Sequence, residues 1–417
     1  MAFYTSSIQT QLIDPRLDQT NKRAEFRFNE DTTYLSNLRL VNIGITATNA
    51  TYNYGAGFYE CIKSIRLLDG NTELTSTPAL EFGRYMAFKN YQKENSSNRS
   101  INHFLNGSGM GYEVQGLNDN NTPSSKLLKS THVPLSYDTT LATTKRGWLD
   151  LKTALPMLES ILMLDTGTFK NLRLVIEYNS AVGAAQNTTA PLLIADAMKN
   201  EAVRSSMKSQ FKGAQFIEVE HDRFDVAVMT PTPTAGAPNP VQRLSQQFKG
   251  FNNKVLTRLL VCKQPNAPTT AALSPSLKFL GSVLNCNEKM NIRVNGRTML
   301  VGDGLDTPNK SLASITDTFG DCNSFFNQQQ QNVQQDAIGM IGAELLDVLG
   351  EQDYKGFLID ERIEQAECTF SRTGEYLAAP VIQNDSISNM PQVLHFFGEV
   401  RKSISVNADG SYLISYM

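Results

Sequence analysis

The residue types that most often do chemistry in proteins are sparse in this chain. It has four histidines, His103, His132, His221 and His395, and none has a partner at the spacing of a metal-binding motif. An enzyme built on two β-barrels, a bicupin, normally supplies His-x-His on one strand with further His and Glu ligands downstream. No His-x-His occurs here. The sequence therefore predicts no metal site, although a bicupin stays a competing class.

The cysteines point the same way. There are five of them, Cys61, Cys262, Cys286, Cys322 and Cys368, and they are far apart and never form Cys-x-x-Cys. An odd number at such distances argues against both a disulfide framework and a zinc site. We expect reduced, mostly buried thiols.

Two clusters imitate ligand-binding loops without meeting their requirements. One consists of four aspartates: Asp303, Asp306, Asp317 and Asp321. It lacks the alternating acids, central glycine and terminal glutamate of a calcium loop. The other consists of three glycines, Gly107, Gly109 and Gly111, which do not lie between a strand and a helix as a nucleotide-binding loop would. We expect no catalytic residue, no cofactor and no metal, and we predict that the protein is not an enzyme.

Charge is nearly balanced, with 38 basic and 41 acidic side chains and a formal net charge of -3. No bulk positive field exists to hold nucleic acid, so any such contact must be local. Arg204, Lys208 and Lys212 share one face of a predicted helix and could meet headgroups, DNA or an acidic neighbour, but a solvated face is the simpler interpretation. Trp148 is expected to anchor a helix over 149–159 on its barrel.

The chain repeats strand-like segments at about half its length. Three pairs carry the repeat: 38–41 with 258–261, 65–70 with 292–296, and 173–177 with 395–399. Their offsets of 220, 227 and 222 residues are nearly constant. Two copies of one domain give such offsets when surface loops change length while the strand order is kept. A length of 417 residues also suits two domains better than one.

Dense strand patterns and Gly/Pro turns predict an all-β protein of two tandem eight-stranded antiparallel jelly rolls, with a few short helices in loops and linker. The turns include Asp69-Gly70, a strong hairpin signal. Four regions follow: an N-terminal arm over 1–22, a first jelly roll over 23–190, a helical linker over 191–213 and a second jelly roll over 214–417.

Both copies extend the same connection. Residues 95–125 and 302–332 are far longer than ordinary loops, and each follows a predicted helix or contains one. The helices are expected over 78–93, near 311–326 and over 333–349. We interpret the two long connections as paired projections on one end of the molecule.

No apolar run approaches the roughly 20 residues needed to cross a bilayer, and the first residues lack the blocks of a signal peptide. We expect a chain made in the host cytoplasm as a soluble protein. Transmembrane and secreted classes are thereby disfavoured.

In order and layout, the chain resembles the double jelly-roll major capsid proteins of polinton-like viruses and virophages, of the adenovirus-like lineage of double-stranded DNA viruses. The segments that carry the resemblance are Pro15-Arg16-Leu17-Asp18, Phe26-Arg27-Phe28, 34–40, 171–178 and Phe397-Gly398-Glu399-Val400. They are strand consensus rather than chemistry. It is their order, together with the half-length duplication, that points to this family.

The resemblance implies a virion protein whose two jelly rolls stand side by side and which forms a homotrimer, a pseudo-hexagonal capsomer of an icosahedral capsid. Its partners would be itself, neighbouring capsomers, and penton and minor capsid proteins, with weak inner-face contact to a membrane or the genome. The alternative is a virion spike or penton, or a carbohydrate-binding jelly-roll protein, since jelly rolls also serve lectins.

Overall fold

The structure is a computed structural model, and part of the chain is described from it. The described residues are 8–19, 22–29, 33–45, 59, 61–78, 82–93, 113–117, 123–127, 145–161, 163–179, 190–198, 212–226, 241–265, 287–300, 304–305, 308–319, 354–373, 392–407 and 411–417. None of the helices in these ranges is long and apolar enough to cross a membrane.

Strands dominate the described residues. Those of the first half are β1 Ile8–Ile13, β2 Leu17–Gln19, β3 Arg23–Arg27, β4 Tyr34–Ile45, β5 Ile62–Asp69, β6 Thr72–Ser76, β7 Glu113–Leu117, β8 Pro123–Leu127, β9 Lys145–Asp150, β10 Leu164–Asp165, β11 Leu172–Tyr178 and β12 Leu192–Met198. Those of the second half are β13 Lys212–Val226, β14 Val241–Phe248, β15 Val255–Pro265, β16 Asn287–Val294, β17 Arg297–Thr298, β18 Tyr354–Arg362, β19 Ala366–Thr373, β20 Gln392–Val406 and β21 Tyr412–Tyr416. The helices are α1 Phe82–Lys93, α2 Leu151–Ala154, α3 Pro156–Ser160 and α4 Pro308–Phe319.

The first half forms two antiparallel sheets with a jelly-roll order. One sheet runs β1-β12-β4, with β9 and β10 both pairing with β4, and the other runs β2-β3-β11-β5-β6. If β1, β3, β4, β5, β6, β9, β11 and β12 are counted one to eight, the sheets read 1-8-3-6 and 2-7-4-5. This is the strand order of an eight-stranded jelly roll, which is two interlocked Greek keys.

The second half repeats that order strand by strand. Its sheets run β13-β20-β15-β18 and β14-β19-β16-β17, and counting β13 to β20 as one to eight again gives 1-8-3-6 and 2-7-4-5. β21 is an addition that pairs with β20. The prediction of two tandem eight-stranded antiparallel jelly rolls is confirmed.

Each half has its own core, formed where alternate side chains of the two sheets face each other. In the first half Phe26, Leu67 and Leu174 are fully buried. In the second half Phe248 and Phe396 meet with ring centroids 4.2 Å apart inside a cluster drawn from both sheets. Two such cores follow directly from the duplication of the strand pattern.

The chain divides into two compact units. One contains Met1–Glu218 and Ser403–Ile414, and the other contains Val219–Lys402 and Ser415–Met417. The division falls within β13, β20 and β21 rather than at a linker between strands. The domain boundaries inferred from the sequence stay a prediction, but two of the local structures assigned within them are wrong.

Within the described residues, the predicted N-terminal arm is part of the first jelly roll. Ile8 to Ile13 form β1, the first strand of the first jelly roll, in register from Ile8 opposite Met198 to Ile13 opposite Leu193. β2 adds to the other sheet by pairing with β3. β1 lies at the edge of its sheet and is mostly exposed, so it lacks the apolar alternation that marks a buried strand.

The helical linker predicted over 191–213 is wrong where the structure describes it. Leu192–Met198 is β12, the eighth strand, and it lies between β1 and β4. Its first four positions are all apolar, which cannot distinguish a strand from a helix by period. Arg204 and Lys208 lie outside the described residues, whereas Lys212 begins β13.

The third repeat pair predicted from the sequence joins two strands that are not equivalent. Residues 173–177 lie in β11, the seventh strand, whereas residues 395–399 lie in β20, the eighth. The true counterpart of β11 is β19, and the counterpart of β20 is β12. A constant offset misleads here because the connections between strands differ in length in the two copies.

Trp148 does not anchor a helix. It lies on β9, with Trp148 and Asp150 exposed and Leu149 fully buried between them, as strand alternation requires. The Arg39 guanidinium lies 5.9 Å from the centre of the indole. Residues 403–406 likewise continue β20 instead of forming a strand of their own.

Candidate functional site

The structure brings two of the four histidines together. His221 on β13 and His395 on β20 are 174 positions apart, and His221 Nε2 lies 3.0 Å from His395 Nδ1. The two imidazole rings are stacked with their centroids 5.3 Å apart, and the ring centroid of Phe397 lies 5.0 Å from that of His221. Sequence spacing could not reveal this pair, because β13 and β20 are the first and eighth strands of one jelly roll and meet only after folding.

The chemistry of this pair is that of a neutral hydrogen bond in which one ring nitrogen donates and the other accepts. The pKa of His221 is lowered to about 4, mainly by burial. The charge of Asp222 acts to raise this pKa, and the charge of Arg223 acts to lower it. A base with so low a pKa is a poor proton acceptor near neutrality. Within the described part of the chain, no three His, Cys, Asp or Glu side chains converge to hold a metal.

The remaining candidates are dispersed. Asp317 is exposed on α4, and the other residues of the aspartate and glycine clusters lie outside the described residues, as do His103 and His132. Cys61, Cys262 and Cys368 are buried thiols. Burial raises the pKa of Cys368 far above its ordinary value, which keeps it a protonated and poor nucleophile.

The two long connections occupy equivalent places in the two jelly rolls. One joins β6 to β9 and the other joins β17 to β18, so both link the fifth strand to the sixth. Each begins with a helix of 12 residues, α1 or α4. Much of both connections, including the predicted helix over 333–349, lies outside the described residues.

α1 is held by aromatic packing. Phe82, Tyr85, Met86 and Phe88 are buried, and the ring of Phe82 meets Tyr59 edge to face at 6.0 Å. The Tyr59 hydroxyl donates to the Asp150 carbonyl at 2.9 Å, so its polar end is satisfied. The start of the first long connection is therefore rigidly attached.

α4 is held by close backbone approach. It packs on β18, where a side chain at Gly356 would place its Cβ 2.8 Å from the Ser314 carbonyl and 2.9 Å from Thr318 Cβ. The Gly356 N–H donates to Ser314 Oγ at 3.2 Å. Only glycine allows this approach, and it fixes the start of the second long connection.

An ion pair reinforces the same region. Arg258 Nε donates to Glu399 Oε2 at 2.6 Å, and the Glu399 side chain is only 3% exposed. The Arg258 guanidinium also lies 5.3 Å from the ring centre of Phe319, at the end of α4. The buried carboxylate is thus paired, which avoids the large cost of an isolated buried charge. The arrangement positions a helix and does not activate a nucleophile.

Comparisons with known proteins are informative at the level of structure alone. No family model and no curated protein matches the sequence. Among solved structures, a quasi-atomic model of the PBCV-1 virus capsid matches with a TM-score of 0.54 at 12% identity, covering 98% of this chain and 96% of that chain. The chain has the double jelly-roll fold.

Two further solved structures agree. The mavirus major capsid protein matches with a TM-score of 0.52 at 10% identity, over 99% of this chain and 90% of that chain. The 3.5 Å structure of the Sputnik virophage matches with a TM-score of 0.52 at 10% identity, over 98% of this chain and 88% of that chain. The likeness therefore extends along both jelly rolls and is not confined to one.

Proposed function

We propose that this protein is a major capsid protein, a structural subunit of an icosahedral virus shell. The observation that carries the proposal is the pair of complete jelly rolls with identical strand order in one chain. The fold it shares with solved capsid proteins of PBCV-1, mavirus and Sputnik supports the same conclusion. Fold alone does not determine function, so assembly is the property to test.

The duplication has a geometric use in a shell. Two similar barrels in each chain and three chains in an oligomer give six similar units around a threefold axis. Such a homotrimer fills a six-coordinated lattice position with a closed ring of self-contacts. We therefore propose a pseudo-hexagonal capsomer, with α1 and α4 fixing the bases of two projections per chain.

The partners follow from that role. The subunit contacts its own copies within the trimer, then neighbouring capsomers, penton and minor capsid proteins, and it makes weak inner-face contact with a membrane or the genome. It resides in the virion after synthesis in the host cytoplasm. It performs no catalysis.

Assembly of the purified full-length protein tests this proposal. Light scattering after size-exclusion chromatography is expected to give three times the mass of the chain, and negative-stain averages are expected to show six lobes. Circular dichroism and a thermal melt on the same sample establish that the chain is folded. Folded protein that stays monomeric at all concentrations, or that binds glycans saturably as a monomer, would contradict the proposal.

A further inference from the structure

A basic cleft lies at one corner of the first jelly roll, where β3 ends, β11 begins and β5 turns into β6. Its volume is about 520 Å³, within the range of roughly 300 to 1,000 Å³ typical of small-ligand sites. Ten residues line it, of which none is acidic and four are basic: Arg16, Arg27, Lys170 and Arg173. Segments distant in sequence thus bring like charges together.

A single buried carboxylate organises the arginines behind the cleft. Glu25 accepts from Arg23 and from Arg27 at 3.2 Å each and lies 3.9 Å from Arg173 Nη1. Its side chain is 9% exposed, whereas that of Arg27 is 51% exposed. One carboxylate cannot neutralise three guanidinium groups. The cluster therefore keeps a net positive charge of two, directed toward solvent on the side of Arg27.

Asp69 is the second carboxylate near the cleft, and it accepts hydrogen bonds from the backbone and from a tyrosine. Asp69 Oδ1 accepts from the Asn171 N–H at 2.7 Å, and its Oδ2 accepts from the Tyr412 hydroxyl at 2.8 Å. Arg16 and Lys170 are exposed, and among the described residues no carboxylate pairs with either. The four basic side chains of the lining thus face two carboxylates, Glu25 and Asp69, which leaves a net charge of two.

We infer that this cleft binds phosphate groups. A phosphate carries up to about two negative charges and three terminal oxygens, and an arginine fork binds two such oxygens at once. The side-chain amides of Asn29, Asn71 and Asn171 add donors at the rim. A carboxylate would neutralise only one of the two excess charges, so phosphate matches the site better.

The ligand is recognised by its phosphate and not by a base. The two apolar residues of the lining, Phe28 and Leu172, are buried in the jelly-roll core and leave no exposed aromatic face for stacking. The source of the phosphate is then either a free phosphate chain or the backbone of a nucleic acid. Because the whole chain has a formal net charge of -3, DNA binding would have to arise at this local cluster.

A pair of variants with equal charge change isolates the cleft. Arg16→Gln with Lys170→Gln removes two cations that make no ion pair among the described residues, and it leaves Glu25 and its arginines in place. Lys22→Gln with Lys63→Gln removes two exposed cations at the opposite end of the same sheet. Both double variants are expected to melt at the temperature of the parent, since exposed charges contribute little to stability.

Two probes distinguish the sources of phosphate. Inorganic pyrophosphate is titrated by calorimetry, and a short labelled DNA duplex by fluorescence anisotropy, each at low and at physiological salt. The cleft variant is expected to weaken binding about tenfold, with affinity falling as salt rises, while the control variant binds as the parent does. If the cleft variant binds only pyrophosphate more weakly, the ligand is a free phosphate chain. If it binds only DNA more weakly, the ligand is a nucleic-acid backbone. If it binds both more weakly, the cleft recognises the phosphate group in either source. No binding of either probe, or equal loss in both double variants, would overturn the inference.

Discussion

The same corner of the two jelly rolls is built on one backbone pattern. In the first, the Gly70 N–H donates to the Asn171 carbonyl at 3.0 Å, and Asp69 Oδ1 accepts from the Asn171 N–H at 2.7 Å. In the second, the Asn295 N–H donates to the Gln365 carbonyl at 2.8 Å, and Asn295 Oδ1 accepts from the Gln365 N–H at 3.1 Å. A side chain of the β-turn thus fixes the start of the seventh strand in both copies.

The charge at this corner differs between the copies. In the second jelly roll Arg297 pairs with Glu361 at 3.0 Å, and Glu364 donates its backbone N–H to Asn295 Oδ1 at 2.8 Å. Acids and bases are therefore mixed there, whereas the first corner has the excess of basic side chains described above. The hydrogen bonds between the β-turn and the start of the seventh strand are thus kept in both copies, whereas the charged side chains around them differ.

The largest expected effect comes from removing a buried aromatic side chain in one jelly roll, which tests whether the two jelly rolls have separate cores. Phe26 and Phe396 are each fully buried, one in each jelly roll. Phe396→Ala should remove about 3 to 5 kcal/mol of stability because it leaves a cavity that its neighbours fill only partly. Hydrogen exchange followed by mass spectrometry should show lost protection in β14 to β20 and little change in β3 to β12.

The matched variant is Phe26→Ala, which should show the reverse pattern. If either substitution lowered protection equally in both jelly rolls, the two halves would unfold as one cooperative unit. The two jelly rolls would then not be independently stable, although they would still share one strand order.

The second expected effect is a different pH dependence of stability in the two jelly rolls. Because the pKa of His221 is about 4 in the fold and about 6.5 when unfolded, the unfolded chain binds more protons between these values. The second jelly roll should therefore be fully stabilised above pH 6.5 and lose up to about 3 kcal/mol as the pH falls to 4. Chemical denaturation at stepped pH, with hydrogen exchange to locate the loss, measures this window.

The first jelly roll should respond at lower pH. A hydrogen bond from Asn37, the strongest influence, lowers the pKa of Asp196, so its contribution is present above about pH 4 and lost only as the pH falls through the folded value. His221→Gln should flatten the response of the second jelly roll between pH 6.5 and 4 and leave the first unchanged. A slope that survives this substitution would assign the titration to another group.

A smaller effect concerns how the two long connections are attached. Gly356→Ala should displace α4 from β18, since the added Cβ would lie within 3 Å of Ser314 and Thr318, at a cost of about 1 to 3 kcal/mol. Limited proteolysis should then cut near α4 faster while α1 stays protected. Gly250→Ala is the control, because its Cβ would make only ordinary contacts of 3.5 Å or more.

Much of this architecture was predictable from local sequence. The strands at 38–41 and 258–261, and the hairpins closed by Asp69-Gly70 and Asn295-Gly296, follow from apolar alternation and turn chemistry. Prediction failed at one edge strand, β1, and at one inner strand, β12. β1 is too exposed, and β12 too uniformly apolar, to show a period of two.

The candidate site depended on contacts that local sequence does not encode. The His221 and His395 pair joins the first and eighth strands of its jelly roll, and the basic cleft collects side chains from before β2 to the start of β11. Neither shows a motif or a charge run. Such clusters follow from sheet order, so they become visible only when the strands are correctly matched between the copies.

The smallest expected effect concerns the glycines of the two β-turns. Gly70 and Gly296 have φ of +58° and +80°, and a Cβ at either position would meet nothing within 4 Å. Gly70→Ala and Gly296→Ala should therefore each cost only the backbone penalty of about 1 kcal/mol, measured by urea denaturation. Asparagine tolerates this conformation better, so Gly70→Asn and Gly296→Asn should cost less than the alanine variants. Unequal costs for the two alanine variants would mean that the turns are not equivalent, and that the duplication of the frame ends at the last ladder hydrogen bond.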